Sequence, residues 1–160
     1  MSNVTVNDVI IVAPHADDEL IGCFEVLESG IVTGVVVPNE MAAREIIPCS
    51  VAYGFRILNM KSLMGTWTND PVFLFPDPFN ELHPKHKYLG AKGLEFFREG
   101  RNVLFYTTSM NTTYLRETIY AEKKRDLLNR FYPEKSTLWE YDHKYFLFEG
   151  QVRYIRGWTV

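Results

Sequence analysis

A parallel α/β sheet flanked by helices, folded as one compact domain, is the architecture this sequence predicts. Three observations carry it. Several short apolar runs rich in β-branched residues have the character of strands covered on both faces. Stretches with helical spacing stand between them. The 160 residues, 46% apolar and 14% aromatic, suffice for one sizeable core and are too apolar for a disordered chain.

"VIIVA" (9–13) is the first such run. "DELIGCFEVLESG" then switches to helical spacing, with Leu20, Phe24 and Leu27 on one side. Asp17 or Asp18 can cap its start and Gly30 can end it. "IVTGVVV" (31–37) reads as a second buried strand. "EMAAREIIPCSVAYG" reads as a helix ending near Gly54, where Pro48 predicts a kink or a late start. "VFLF" (72–75) and "NVLFYTT" (102–108) are further strands, separated by the helix "HKYLGAKGLEFFREG" that Gly100 closes. "AEKKRDLLNRFY" is a late amphipathic helix, and "YFLF" and "VRYI" in the tail are expected to add one or two strands. No repeat, low-complexity tract or linker divides the chain, so 1–160 is expected to be a single domain. Polar loops at 61–71, 76–83 and 109–117 are the places where a site is expected.

Composition narrows the function classes. A formal charge of −3 gives no electrostatic reason for a nucleic-acid or anionic-membrane partner. No apolar run approaches the roughly 20 residues that span a bilayer, so membrane insertion is not expected. "MSNVTVND" lacks a basic region followed by an apolar one, which predicts no secretory signal. Cys23 and Cys49 match no zinc or redox spacing and read as buried, reduced thiols of a cytoplasmic protein. The composition is compatible with a homo-oligomer and does not fix one.

Three of the four histidines fall in two motifs. "PHADDE" sits at the carboxyl end of the first strand, the edge where open parallel sheets bind ligands. "HPKH" follows "VFLF" and opens the next helix, with Pro84 suited to the first turn. Alone, the first motif fits an N-capped acidic helix start and the second a solvated turn; their placement on one sheet edge points to a site. His15 and Asp18 are three residues apart, as are His83 and His86, so each pair can face one way at a helix start. Two nitrogens and one oxygen can then converge on one ion, with a fourth position left for water, as in catalytic zinc sites. Asp17 would be a spare carboxylate to take a proton, and His83 a spare histidine to protonate or stabilise developing charge. His143, with no partner motif, reads as a surface histidine.

On these residues the chain resembles the LmbE-like, or PIG-L, metal-dependent deacetylases. "APHADDELIGC" resembles their H-P-D-D-E motif and "NELHPKHKYLGAKG" their H-P-D-H motif. "REIIPCSVAYGFR" resembles a glutamate-bearing helix of the family, and "EKKRDLLNRFYPE" its lysine-bearing helix, so the likeness runs from about residue 8 to about 150. The resemblance implies a Rossmann-like fold and hydrolysis of an N-acetyl group, usually from a glucosamine unit. It implies Zn2+ or another divalent transition metal as cofactor and a small N-acetylated sugar or related amide as substrate. By the same resemblance His15, Asp18 and His86 are metal ligands, Asp17 is the general base, and His83 assists at the tetrahedral intermediate. Glu19 is expected to support the loop. Ala16 stands where the family has proline, and Lys85 where it has aspartate. The family's arginine would fall at Ala42, with Arg44 nearby as a substrate-binding substitute. Two rivals stand beside this reading: a metal-dependent hydrolase of another amide or a phosphoester, and a non-catalytic carbohydrate-binding relict. Trp67, Phe79, Tyr106 and Tyr114, in or near the loops, are candidates to pack on a sugar ring.

Overall fold

A computed structural model describes residues 8–154. It is a single α/β domain with a mostly parallel sheet, a generic Rossmann-like architecture. Strands β1 (Val9–Val12), β2 (Val32–Val36), β3 (Arg56–Leu58), β4 (Val72–Pro76) and β5 (Asn102–Tyr106) run parallel, in the spatial order 3-2-1-4-5. A two-residue strand, Gln151–Val152, closes the β5 edge antiparallel. Between the strands lie α1 (Asp18–Glu28), α2 (Glu40–Glu45), α3 (Ile47–Tyr53), the short α4 (Met60–Leu63) and α5 (Pro84–Arg98). A C-terminal cap follows: α6 (Ala121–Phe131), a 3-10 turn at Pro133–Lys135, α7 (Ser136–Tyr141) and α8 (Lys144–Leu147). None of these helices is long and apolar enough to cross a membrane.

Side chains alternate along a strand, and β1, buried along its whole length, feeds two cores. Val9 and Ile11 pack with Leu20, Phe24 and Leu27 of α1 and with Leu128 and Trp139 of the cap. Ile10 and Val12 pack with Phe73, Phe75, Phe105 and, from α5, Leu89 and Phe96. Gly90 lets α5 press on the chain leaving β4, since a Cβ there would lie 2.7 Å from Pro78 Cα. That contact fixes the helix one turn beyond His86.

α1 breaks at Cys23, whose φ of −133° and ψ of 28° are not helical. In a regular helix the Glu25 amide would donate to the Ile21 carbonyl. Here the Ile21 carbonyl accepts from Lys124 at 2.6 Å, and Glu149 accepts from the amides of Phe24 at 2.6 Å and Glu25 at 3.2 Å.

The structure departs from the sequence reading at several elements. The helix expected over 40–54 is two helices that meet at Ile46, the break that Pro48 predicts, and Pro48 lies in the first turn of α3, where its missing N–H is no loss. Arg56–Leu58 and Met60–Leu63 were not foreseen; three and four residues are too short to display a period. The tail adds two short strands, as expected, but most of "YFLF" ends α8 and only its Phe148 enters a strand, Phe148–Glu149, paired with Arg116–Glu117. Of "VRYI", only Val152 lies in a strand; Ile155 falls outside the described residues, as do residues 1–7 with most of the stretch read as lacking a signal. Neither Asp17 nor Asp18 caps α1 with its side chain.

Candidate metal centre

β1 and β4 are neighbours from which the chain order runs outward in opposite directions, the switch point where open α/β sheets form a crevice. Both histidine motifs emerge there. Past β1, Ala13 is still tied to β2 through the Val36 carbonyl at 2.9 Å. The chain then turns sharply at Asp17, whose φ of 126° is strained for a residue with a side chain. Neighbours hold that turn. Glu19, fully buried, accepts from the Asp17 amide at 3.0 Å and from the Tyr132 hydroxyl. Lys135 donates to the Ala16 carbonyl and stands 3.5 Å from Asp17 Oδ2. The Asp17 carbonyl accepts from Leu20 and Ile21, so α1 starts at once with Asp18 in its first turn.

The turn brings Asp18 back beneath His15, whose amide donates to Asp18 Oδ2 at 2.8 Å. Three basic atoms then meet. His15 Nδ1 and His86 Nε2 are 3.1 Å apart, and Asp18 Oδ2 is 3.3 Å from the first and 3.2 Å from the second. Around a tetrahedral ion with bonds of about 2.0–2.1 Å, ligand atoms stand roughly 3.3–3.4 Å apart. The triangle thus has the size an ion such as zinc requires. His83 joins His15 and His86 in a cluster whose ligand atoms all lie within 4.8 Å of one another, a group able to hold a divalent ion. Its ring meets that of His15 edge-on, with centroids 4.7 Å apart.

Charge follows this crowding. Burial would raise the Asp18 carboxyl, but hydrogen bonds and charge from His15 and His86 outweigh it and hold the group well below the usual carboxylate range. Burial opposes a proton on His86, yet Asp18 and Glu81 push its pKa up to about 10. Burial, and then the neighbouring negative charge of Asp18, raises the Asp17 carboxyl; Lys135 offsets part of this. His83 is lowered by desolvation and by His15 and His86.

His83 is the N-cap of α5, and its Nδ1 accepts from the Lys85 amide at 3.1 Å. In its neutral form the ring therefore carries its hydrogen on Nε2. Behind the triad, sequence reasoning missed two groups. Glu81 and Thr108 both stand against His86 Nδ1, at 3.6 Å and 3.1 Å. The loop bearing Glu81 is anchored by Asp77, fully buried, which accepts from the Phe79 amide at 2.8 Å and from the hydroxyls of Tyr114 and Tyr154.

The cluster opens into a cleft of about 450 Å3 lined by Ile21, Leu82, Leu138 and Tyr145 and by the charged Asp17 and Lys135. Arg44 does not line it; its side chain is 81% exposed and pairs with Glu40 at 3.9 Å. Lys135, and not Arg44, is the basic side chain that lines the cleft. Trp67, Phe79, Tyr106 and Tyr114 do not line the cleft either. Tyr106 is buried, donating to the Val12 carbonyl at 2.6 Å, and Trp67 packs on Phe73.

Fold and site together define a single α/β domain with a histidine cluster competent for a divalent ion. No family model, curated protein or solved structure matches the chain.

Proposed function

We propose that this protein is a zinc-type hydrolase of the LmbE-like kind that removes the acetyl group from an N-acetylglucosamine-type conjugate. The observation that carries the reading is the triangle of His15 Nδ1, Asp18 Oδ2 and His86 Nε2, with sides of 3.1, 3.2 and 3.3 Å. Without an ion, protons on the histidines hold these atoms together; an ion would take their place and bind all three. His15, Asp18 and His86 would hold the ion. His83 is the less suited ligand, because the Lys85 amide occupies its Nδ1 and leaves a hydrogen on Nε2. Once bound, the ion supplies Lewis acidity, acidifying water and polarising an acyl oxygen.

The chain's own groups complete the chemistry. Asp17, kept close to the cluster by its strained turn and by Lys135, accepts a proton from the water that attacks the acyl carbon. The same proton passes to the amide nitrogen as the C–N bond breaks, and the acetic acid formed gives its proton to the amine, leaving acetate and a protonated amine. His83 donates Nε2–H to the oxygen on which negative charge develops. Ile21, Leu82, Leu138 and Tyr145 offer an apolar wall to the acyl methyl and the less polar face of a sugar ring.

The test is acetate and free-amine release from a panel of N-acetylated sugars with zinc-loaded protein. Activity lost with chelator is expected. Asp17→Asn is expected to lower turnover by roughly two to four orders of magnitude while retaining the metal. Loss of metal in Asp17→Asn would instead make Asp17 a ligand. No release anywhere on the panel, alongside hydrolysis of a phosphoester or another amide, would replace the deacetylase reading with that activity.

A further inference from the structure

Glu81 is a buried carboxylate with no part in the chemistry above. It is 2% exposed, in the loop between β4 and α5. Its Oε1 accepts from the Thr108 amide at 2.6 Å and its Oε2 from the Ser109 amide at 3.2 Å; the Thr108 hydroxyl is 3.3 Å from both oxygens. These donors are neutral. Among the described residues, the one group able to carry positive charge within ion-pair reach is the His86 ring, with Nδ1 3.6 Å from Oε2.

The Thr108 hydroxyl lies between them, 3.1 Å from His86 Nδ1. A hydroxyl has one hydrogen and two lone pairs. The carboxylate is the stronger acceptor, so the hydrogen goes to Glu81 and a lone pair faces Nδ1. His86 must then carry its hydrogen on Nδ1. Its Nε2, 3.2 Å from Asp18 Oδ2 and 3.1 Å from His15 Nδ1, is then the nitrogen at which an ion would take the place of a proton.

We propose that Glu81, acting through the Thr108 hydroxyl and directly on the ring, is a positioning residue for the metal: it fixes His86 in the tautomer and orientation that present Nε2 as a ligand. This rests on the metal-centre reading. It also gives a physical reason for a carboxylate buried against neutral donors. A carboxylate behind a ligating histidine raises the basicity of that ligand, and losing such a partner weakens metal affinity by roughly 10–100-fold.

Cobalt(II) is the probe, titrated into the full chain and followed by its visible absorption bands, with affinity taken from chelator competition. Wild type is expected to bind one equivalent. Glu81→Gln, similar in shape but without the charge, is expected to bind roughly 10–100-fold more weakly, with shifted bands. Thr108→Val removes the relay but keeps the carboxylate; a smaller weakening in the same direction is expected, and this variant carries the test if Glu81→Gln does not fold. A merely structural role would lower the melting temperature of the metal-free protein and leave the bands of bound cobalt unchanged. Unchanged affinity and bands in folded variants would overturn the proposal while leaving the metal centre standing. Wild type that takes up no cobalt would overturn the metal-centre reading and this inference with it.

Discussion

Lys124 and Glu149 lie as deep in the molecule as Asp18 and His86, yet the two regions treat buried charge in opposite ways. The Lys124 ammonium has three hydrogens and three acceptors: the carbonyls of Ile21 and Phe148, at 2.6 and 3.1 Å, and Glu149 Oε1 at 3.2 Å. Glu149 takes the two amides that the break in α1 leaves over. Burial lowers the lysine pKa and raises that of the glutamate, and their mutual attraction opposes both shifts. Every polar group there has its complement, and nothing is left to bind. At the sheet edge Asp18, His15 and His86 bring three atoms able to ligate a metal to one point, held together by protons that an ion can replace. That arrangement has atoms able to exchange protons for a divalent ion, which the Lys124 pair lacks. Deep burial of charge is therefore no signal of function by itself; what separates the two regions is whether the charges complement each other or converge.

The hardest way to break this contrast is to open the closed region. Lys124→Met leaves Glu149 buried without a cation and is expected to lower unfolding stability by about 3–5 kcal/mol, read by chemical denaturation. Adding Glu149→Gln should recover part of that, since a neutral amide oxygen still accepts from Phe24. A loss below about 1 kcal/mol would mean that the pair is not what closes the break in α1.

Zinc sharpens the contrast from the other side. At a hundred times its dissociation constant, zinc should add about 2.7 kcal/mol to the unfolding free energy of wild type, read as a rise in melting temperature. A folded Lys124→Met variant should show the same gain, because its defect lies outside the triad. Asp18→Asn should lose most of it. Equal gains in wild type and Asp18→Asn would erase the distinction between the regions.

The smallest effect belongs to Arg44. Its pair with Glu40 joins side chains 81% and 94% exposed, so Arg44→Ala should change stability by less than about 0.5 kcal/mol. Zinc affinity should not move. A tenfold rise in KM on an N-acetylated sugar would bring Arg44 back to the substrate.

The alternation of apolar runs and helical stretches, the strand that leads to His15, and the meeting of two histidine motifs at one sheet edge were all legible in the chain. Each depends on short-range physics: strand and helix periods, proline at a helix start, and the rule that parallel strands carry their loops at the same end. The three-residue spacing of His15 with Asp18 and of His83 with His86 is local in the same sense. The tail gave the two strands expected of it, but most of "YFLF" is helical, because it is apolar enough for either state and neighbours decide between them.

Only the tertiary structure decided which charges meet. Glu81 reaches Thr108 across 27 residues, Lys135 reaches Ala16 across 119, and Glu149 reaches Phe24 across 125. A carboxylate or lysine in a loop carries no periodic mark of its partner, so no pattern in the chain could tell Glu81 from a solvated surface acid or Lys135 from an ordinary exposed lysine. Packing settles it: once α5 and the cap close on the sheet, these groups lose water and must take whatever hydrogen-bond and charge partners the fold has set beside them.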